Sequence, residues 1–139
     1  MKIMGIDYGD SRVGIAMSDS LGLMAHGIKT LPNKVYAKMI EAVVGIANEY
    51  SVSKIVIGMP KNMDGTLGFR ADITMDFAGD LKKELPSADI VFQDERLTTA
   101  QASGFLNATN TRGKSRKNVI DTVAAEIILQ SYLDSIKNN

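Results

Sequence analysis

A chain of 139 residues, 45% hydrophobic and 23% charged, has an ordinary globular composition and fits one domain, expected over 1–139. It has no cysteine, which excludes disulfides, thiolate metal sites and cysteine nucleophiles. Lys plus Arg and Asp plus Glu both number 16, so a nucleic-acid partner must be gripped by a local basic patch and not by overall charge.

No apolar run reaches the length of a membrane span, and the first residues lack a signal peptide's basic, apolar and cleavage regions. A cytoplasmic protein with no membrane contact is the expectation. Residues 2–8 (Lys-Ile-Met-Gly-Ile-Asp-Tyr) read as a buried strand ending in a carboxylate. A tight Gly9-Asp10-Ser11 connection leads to a second strand over 13–18, which is a hairpin signal. A third strand over 24–30 completes an antiparallel meander. From Val35, apolar residues at Met39, Val43, Ile46 and Ala47 have helical spacing, ending near Tyr50.

The β-branched run 54–58, stopped by Met59-Pro60, predicts a fourth strand. A second helix is expected over 66–85, closed by Pro86. Residues 89–93 form a fifth strand leading into Asp94 and Glu95. A third helix is expected over 98–107, a polar basic loop over 110–117, and a final helix over 118–136. A meander followed by strand–helix crossovers implies an α/β fold with a mixed five-stranded sheet flanked by helices.

Three carboxylates stand where such a fold could gather them. Asp7 ends the first strand, and Glu95 reaches the same sheet edge if the fifth strand lies parallel beside the first, the edge where ligands of open α/β sheets bind. Asp121 opens the last helix and shares a face with Ala124, Ala125 and Ile128, whose small alanines let the helix press close to the sheet. Gathered acids repel unless cations neutralise them, and oxygen-only ligands suit Mg²⁺ or Mn²⁺, one or two ions. Two such ions could activate water and stabilise the leaving oxygen in phosphodiester cleavage. Each acid also has a structural explanation. Asp7 before Gly9 could be a turn former, Asp94-Glu95 a solvated pair, and Asp121 the third residue of a capping box opened by Asn118.

Phosphate contacts are expected from Arg12 in the glycine-rich turn after Asp7, from Lys61 in the 58–66 loop, from Arg96 beside Glu95, and from Lys114, Arg116 and Lys117 in the one dense basic run. An ordinary hairpin turn, a structural loop and a solvated charge run are the alternatives for these segments. His26 reads as structural, and the eight methionines read as core packing.

Gly5-Ile6-Asp7-Tyr8-Gly9 with Arg12, Gly14 and Ala16, then Gly58-Met59-Pro60 with Asn62-Met63-Asp64-Gly65, then Asp94-Glu95-Arg96-Leu97-Thr98-Thr99, then Asp121 with Ala124-Ala125 and Ile128-Leu129, together resemble the YqgF family of Holliday-junction-resolvase-like nucleases. The resemblance spans nearly the whole chain in the right order. It implies a ribonuclease H-like fold and a divalent-metal site whose catalytic, metal-holding positions are Asp7, Glu95 and Asp121. The role it implies is processing the 5′ end of precursor 16S ribosomal RNA, with junction resolution in DNA as the alternative. Glu126, five positions after Asp121, is expected to face elsewhere. The implied partner is structured RNA or branched DNA, and the chain would act as a monomer or weak homodimer, since a two-fold junction needs two active sites. Two rival readings are a nucleotide-binding fold related to sugar kinases and actin, and a non-catalytic nucleic-acid-binding module of the same fold.

Overall fold

A computed structural model describes residues 2–60, 67–94 and 113–137, the last stretch by its backbone alone as far as residue 121. The elements are β1 (Lys2–Tyr8), β2 (Arg12–Ser18), β3 (Ala25–Pro32), α1 (Tyr36–Glu49), β4 (Val52–Met59), α2 (Phe69–Glu84), β5 (Asp89–Asp94) and α3 (Gly113–Lys137). One sheet takes the order β3-β2-β1-β4-β5. Strands β1–β2 and β2–β3 pair antiparallel, β1–β4 and β4–β5 parallel. The meander and the parallel crossovers are those the sequence predicts.

Side-chain alternation along β1 divides the protein into two layers. Met4, Ile6 and Tyr8 enter one core with Ile55 and Ile57 of β4, Met39, Val43 and Ala47 of α1, and Phe77 and Leu81 of α2. Tyr8 stacks on Phe77 at 4.3 Å between ring centroids. The intervening β1 residues face the other way. Ile3 joins a second core made by Ala16, Ala25 and Val56 with Ala125, Ile128, Leu129 and Leu133 of α3. Helices α1 and α2 thus cover one face and α3 the other. The buried run 55–59 of β4 has the near-continuous apolar pattern of a strand covered on both sides.

Helix α3 lies unusually close to the sheet. A Cβ on Gly5 would stand 2.6 Å from Leu129 Cβ and 3.0 Å from the Ala125 carbonyl oxygen, so only glycine fits beneath this helix. On the edge strand, the Ala25 amide donates to Gln130 Oε1 at 2.9 Å and the Gly27 amide to Glu126 Oε1 at 3.2 Å. These bonds tie the helix to the edge and cover amides that would otherwise invite another strand. They also fix Glu126 toward β3.

Four boundaries differ from expectation by more than one residue: β4 begins at Val52 and α2 at Phe69, and the other two bear on the site. Strand β3 continues to Pro32, because Leu31 and Pro32 pair with Val13 and Arg12. Helix α3 begins at Gly113, five residues before Asn118, so 113–117 is helical and not a loop. Lys and Arg are good helix formers, and a polar run without proline does not stop a helix. The expected helix over 98–107 lies outside the described residues.

Candidate active site

Asp7 is half-buried on β1, one residue from the strand's C-terminal end. By alternation it shares the α3 face with Ile3 and Gly5. Its row across the sheet is Asp7, Gly14 and Thr30. The Thr30 hydroxyl lies 2.9 Å from the Thr122 hydroxyl of α3. Gln130, two turns further along the helix, bonds Ala25, which pairs with Ser18 at the opposite end of the sheet. The N-terminal half of α3 therefore lies over the end of β1 that carries Asp7.

Spacing then locates position 121. Ala125 touches Gly5, and position 121 precedes Ala125 by four residues, a step of about 6 Å along a helix. Asp7 follows Gly5 by two residues, about 6.6 Å along a strand. The backbone at 121 is thus carried from the Gly5 contact toward Asp7 by nearly the same distance. Position 121 lies about two turns inside α3. It is not the third residue of a helix opened by Asn118, and the capping-box explanation of Asp121 falls.

Strand β5 runs parallel to β1 and ends at this edge, but it does not lie beside β1 as expected, because β4 takes that place between them. Ile6 pairs with Ile57 and Ile57 with Phe92, and Asp94 pairs with Met59 two rows beyond. Asp94 alternates with Phe92 and Ile90, and Ile90 packs on the α1/α2 core, so Asp94 belongs to the face opposite Asp7. Glu95 comes next in the chain. Glu95, Arg96 and Lys61 lie outside the described residues, and Asp121, Lys114, Arg116 and Lys117 are described by backbone alone. Among the described residues no three His, Asp or Glu side chains group to hold a metal.

The turn after Asp7 is built, not loose. A Cβ on Gly9 would lie 2.6 Å from the Arg12 carbonyl oxygen, which only glycine tolerates. Asn33 braces the turn from β3: its Nδ2 donates to the Gly9 carbonyl and its amide to the Ser11 carbonyl, both at 2.9 Å. Arg70 of α2 reaches Asp10 at 2.6 Å from the other side, an exposed pair of small energetic weight. Arg12, half-buried, stands two residues before Gly14, the partner of Asp7, and so shares its face. Sequence reasoning overlooked Asn33 and the roles of Gly5 and Gly27. An asparagine before a helix reads as a cap, and close approach to a strand glycine leaves no local signal.

His26 is exposed on β3 in the row of Met17 and Met4, three rows from Asp7. Of the methionines, Met4, Met17, Met39 and Met59 are buried, but Met24 and Met75 are exposed, so the packing reading does not extend to those two.

The family model described as RuvX: Holliday junction resolvase matches residues 1–135. The chain belongs to this family. A relative from Halothermothrix orenii, called "Putative pre-16S rRNA nuclease", is 48% identical over 134 residues, covering 96% of this chain and 95% of that one. The protein of the same name from Caldanaerobacter subterraneus is 45% identical over the full length of both chains. Among solved structures, RuvC of T. thermophilus in complex with a Holliday junction substrate superposes with a TM-score of 0.58 at 10% identity, covering 99% of this chain and 96% of that one. The fowlpox virus Holliday junction resolvase gives 0.58 at 14% identity, over 97% and 99% of the two chains. The fold is ribonuclease H-like, as the resemblance implied.

Proposed function

We propose that this chain is a divalent-metal-dependent endonuclease that hydrolyses phosphodiester bonds, acting on the 5′ end of precursor 16S ribosomal RNA. The observation that carries the reading is the placement of half-buried Asp7 beneath the helix that bears position 121, at the sheet edge where β5 ends at Asp94. Membership of the RuvX family and relatives named as ribosomal RNA nucleases support the substrate.

The donor set fits hard cations. Asp7, Glu95 and Asp121 offer only carboxylate oxygens, and a half-buried acid gathered with two others needs positive charge beside it. Bound Mg²⁺ or Mn²⁺ would supply an activated water and neutralise the leaving oxygen. The chain's own part is positioning: the strand end fixes Asp7, and the Gly5 contact brings α3 close enough for Asp121 to join it. Arg12, on the same face, pairs with a non-bridging phosphate oxygen. Lys114, Arg116 and Lys117 hold the nucleic-acid backbone from the first turns of α3, with Lys61 and Arg96 contributing from their loops.

Precursor ribosomal RNA and a four-way DNA junction offered to one purified sample, with Mg²⁺ or Mn²⁺, test the substrate. Cleavage of the RNA near its mature 5′ end is the expected result. Preferential, paired cutting of the junction would replace ribosomal processing with resolution, and would require two chains acting together. Binding of either with cleavage of neither would reduce the chain to a binding module.

A further inference from the structure

We propose that the shallow groove between the end of β3 and the start of α1 is a second nucleic-acid subsite, holding the substrate strand about three to five nucleotides from the cut. The inference rests on the nuclease reading and extends it to substrate length. From residue 25 to residue 40 the chain carries Lys29, Lys34 and Lys38 and no Asp or Glu. Among the described residues none of these lysines forms an ion pair. Lys34 lies just before the N-cap of α1 and Lys38 in its first turn, so two like charges border the positive end of the helix, where cations are disfavoured unless an anion offsets them. The first turn of α1 has no acidic residue and its N-cap, Val35, makes no side-chain cap, so the positive end of the helix adds to the lysine field.

Between these charges lies an apolar floor of Leu31, Pro32, Val35 and Met39, enclosing about 200 Å³. That is smaller than the pockets that enclose a free small molecule. It suits part of a polymer laid across it, with sugar and base faces on Pro32 and Val35 and phosphates on the two lysines. Its place is tied to the proposed active site. Pro32 pairs with Arg12, and Asn33 bonds both carbonyls of the turn after Asp7. Two strand spacings separate β3 from β1, about 10 Å. Leu31 and Met39 belong to the α1/α2 face whereas Asp7 faces α3, so a strand must round the sheet end, and at about 3.4 Å per stacked nucleotide it reaches the groove after about three to five.

The test is binding without divalent ions, so nothing is cut, using RNA with flanks of about two or about eight nucleotides on each side of the cleavage point. Lys34→Glu/Lys38→Glu should weaken binding of the long-flanked RNA by ~10-fold and of the short-flanked RNA by under ~2-fold. The neutral pair Lys34→Gln/Lys38→Gln, checked by thermal melting, should lower the salt slope on the long RNA by ~1.4 for two lost single-strand contacts. Equal losses at both lengths, or none at either, would overturn the subsite. Cleavage is read separately with Mg²⁺: length-dependent binding without cleavage would sink the nuclease reading and leave the groove standing.

Discussion

Asp7 and Gly5 occupy one face of one strand, and their neighbours give them opposite demands. Asp7 is proposed to hold a cation, whereas Gly5 needs the absence of a side chain. Gly5→Ala would push a methyl against Leu129 Cβ and the Ala125 carbonyl, at 2.6 Å and 3.0 Å, and one of those atoms is backbone. Such overpacking costs about 1–3 kcal/mol. We expect a thermal midpoint lower by several degrees, and reduced cleavage, because lifting α3 withdraws position 121 from Asp7. An unchanged midpoint would show that the helix can slide, and would remove the close approach as the reason for this glycine. Asp7 was legible in the sequence because a carboxylate at a strand end followed by a glycine-rich turn is a local pattern. Gly5 was not, because its constraint comes from a helix 120 residues further along.

Helix ends show where local pattern succeeds and fails. The apolar spacing of Met39, Val43 and Ala47 predicts α1 to within a residue. The start of α3 was misplaced because its first turns carry no apolar periodicity, only polar residues that tolerate a helix as well as a loop. After α1, Ser51 takes a positive φ of 53°, the left-handed conformation that favours glycine. Relief of that strain, partly offset by the greater freedom of glycine in the unfolded chain, gives Ser51→Gly a gain of about 0.5–1 kcal/mol. A higher midpoint in chemical denaturation checks it, and a lower one contradicts it. Between α1 and α2, Tyr36 donates its hydroxyl to Asp80 at 2.5 Å. Desolvation first, and that bond second, raise its pKa well above the ordinary phenol value of 10.0. The folded protein therefore holds this proton more tightly than the unfolded chain. The stabilisation is intact below about pH 10 and is lost as pH rises beyond it. The pair is partly exposed, so the effect is small. Stability followed from pH 9 to 11.5 should fall less steeply in Tyr36→Phe than in the parent protein, and parallel curves would contradict the assignment.

Across the whole molecule the charges cancel, so affinity for a polyanion must come from where the cations sit. Neutralising Arg116 and Lys117 should weaken nucleic-acid binding and flatten its dependence on log salt by ~2 units. An unchanged slope would remove both from the interface. The sheet order was readable from the sequence because three consecutive strands followed by strand–helix alternation admit few topologies. The proposed meeting of three acids was readable only as a possibility of that topology, since nothing in the spacing of residues 7, 95 and 121 specifies their separation in space. What the fold adds is the close approach of α3 to β1 at Gly5, where one helical turn matches two residues of strand.

The most direct test is cleavage of a precursor ribosomal RNA fragment with and without Mg²⁺ or Mn²⁺, by the parent protein and by Asp7→Asn, Glu95→Gln and Asp121→Asn, each shown to be folded. Cleavage that needs the ion, stops with chelator, and falls by orders of magnitude in kcat for each variant is the predicted result. Cleavage that persists through chelation and all three substitutions would contradict the shared carboxylate site outright.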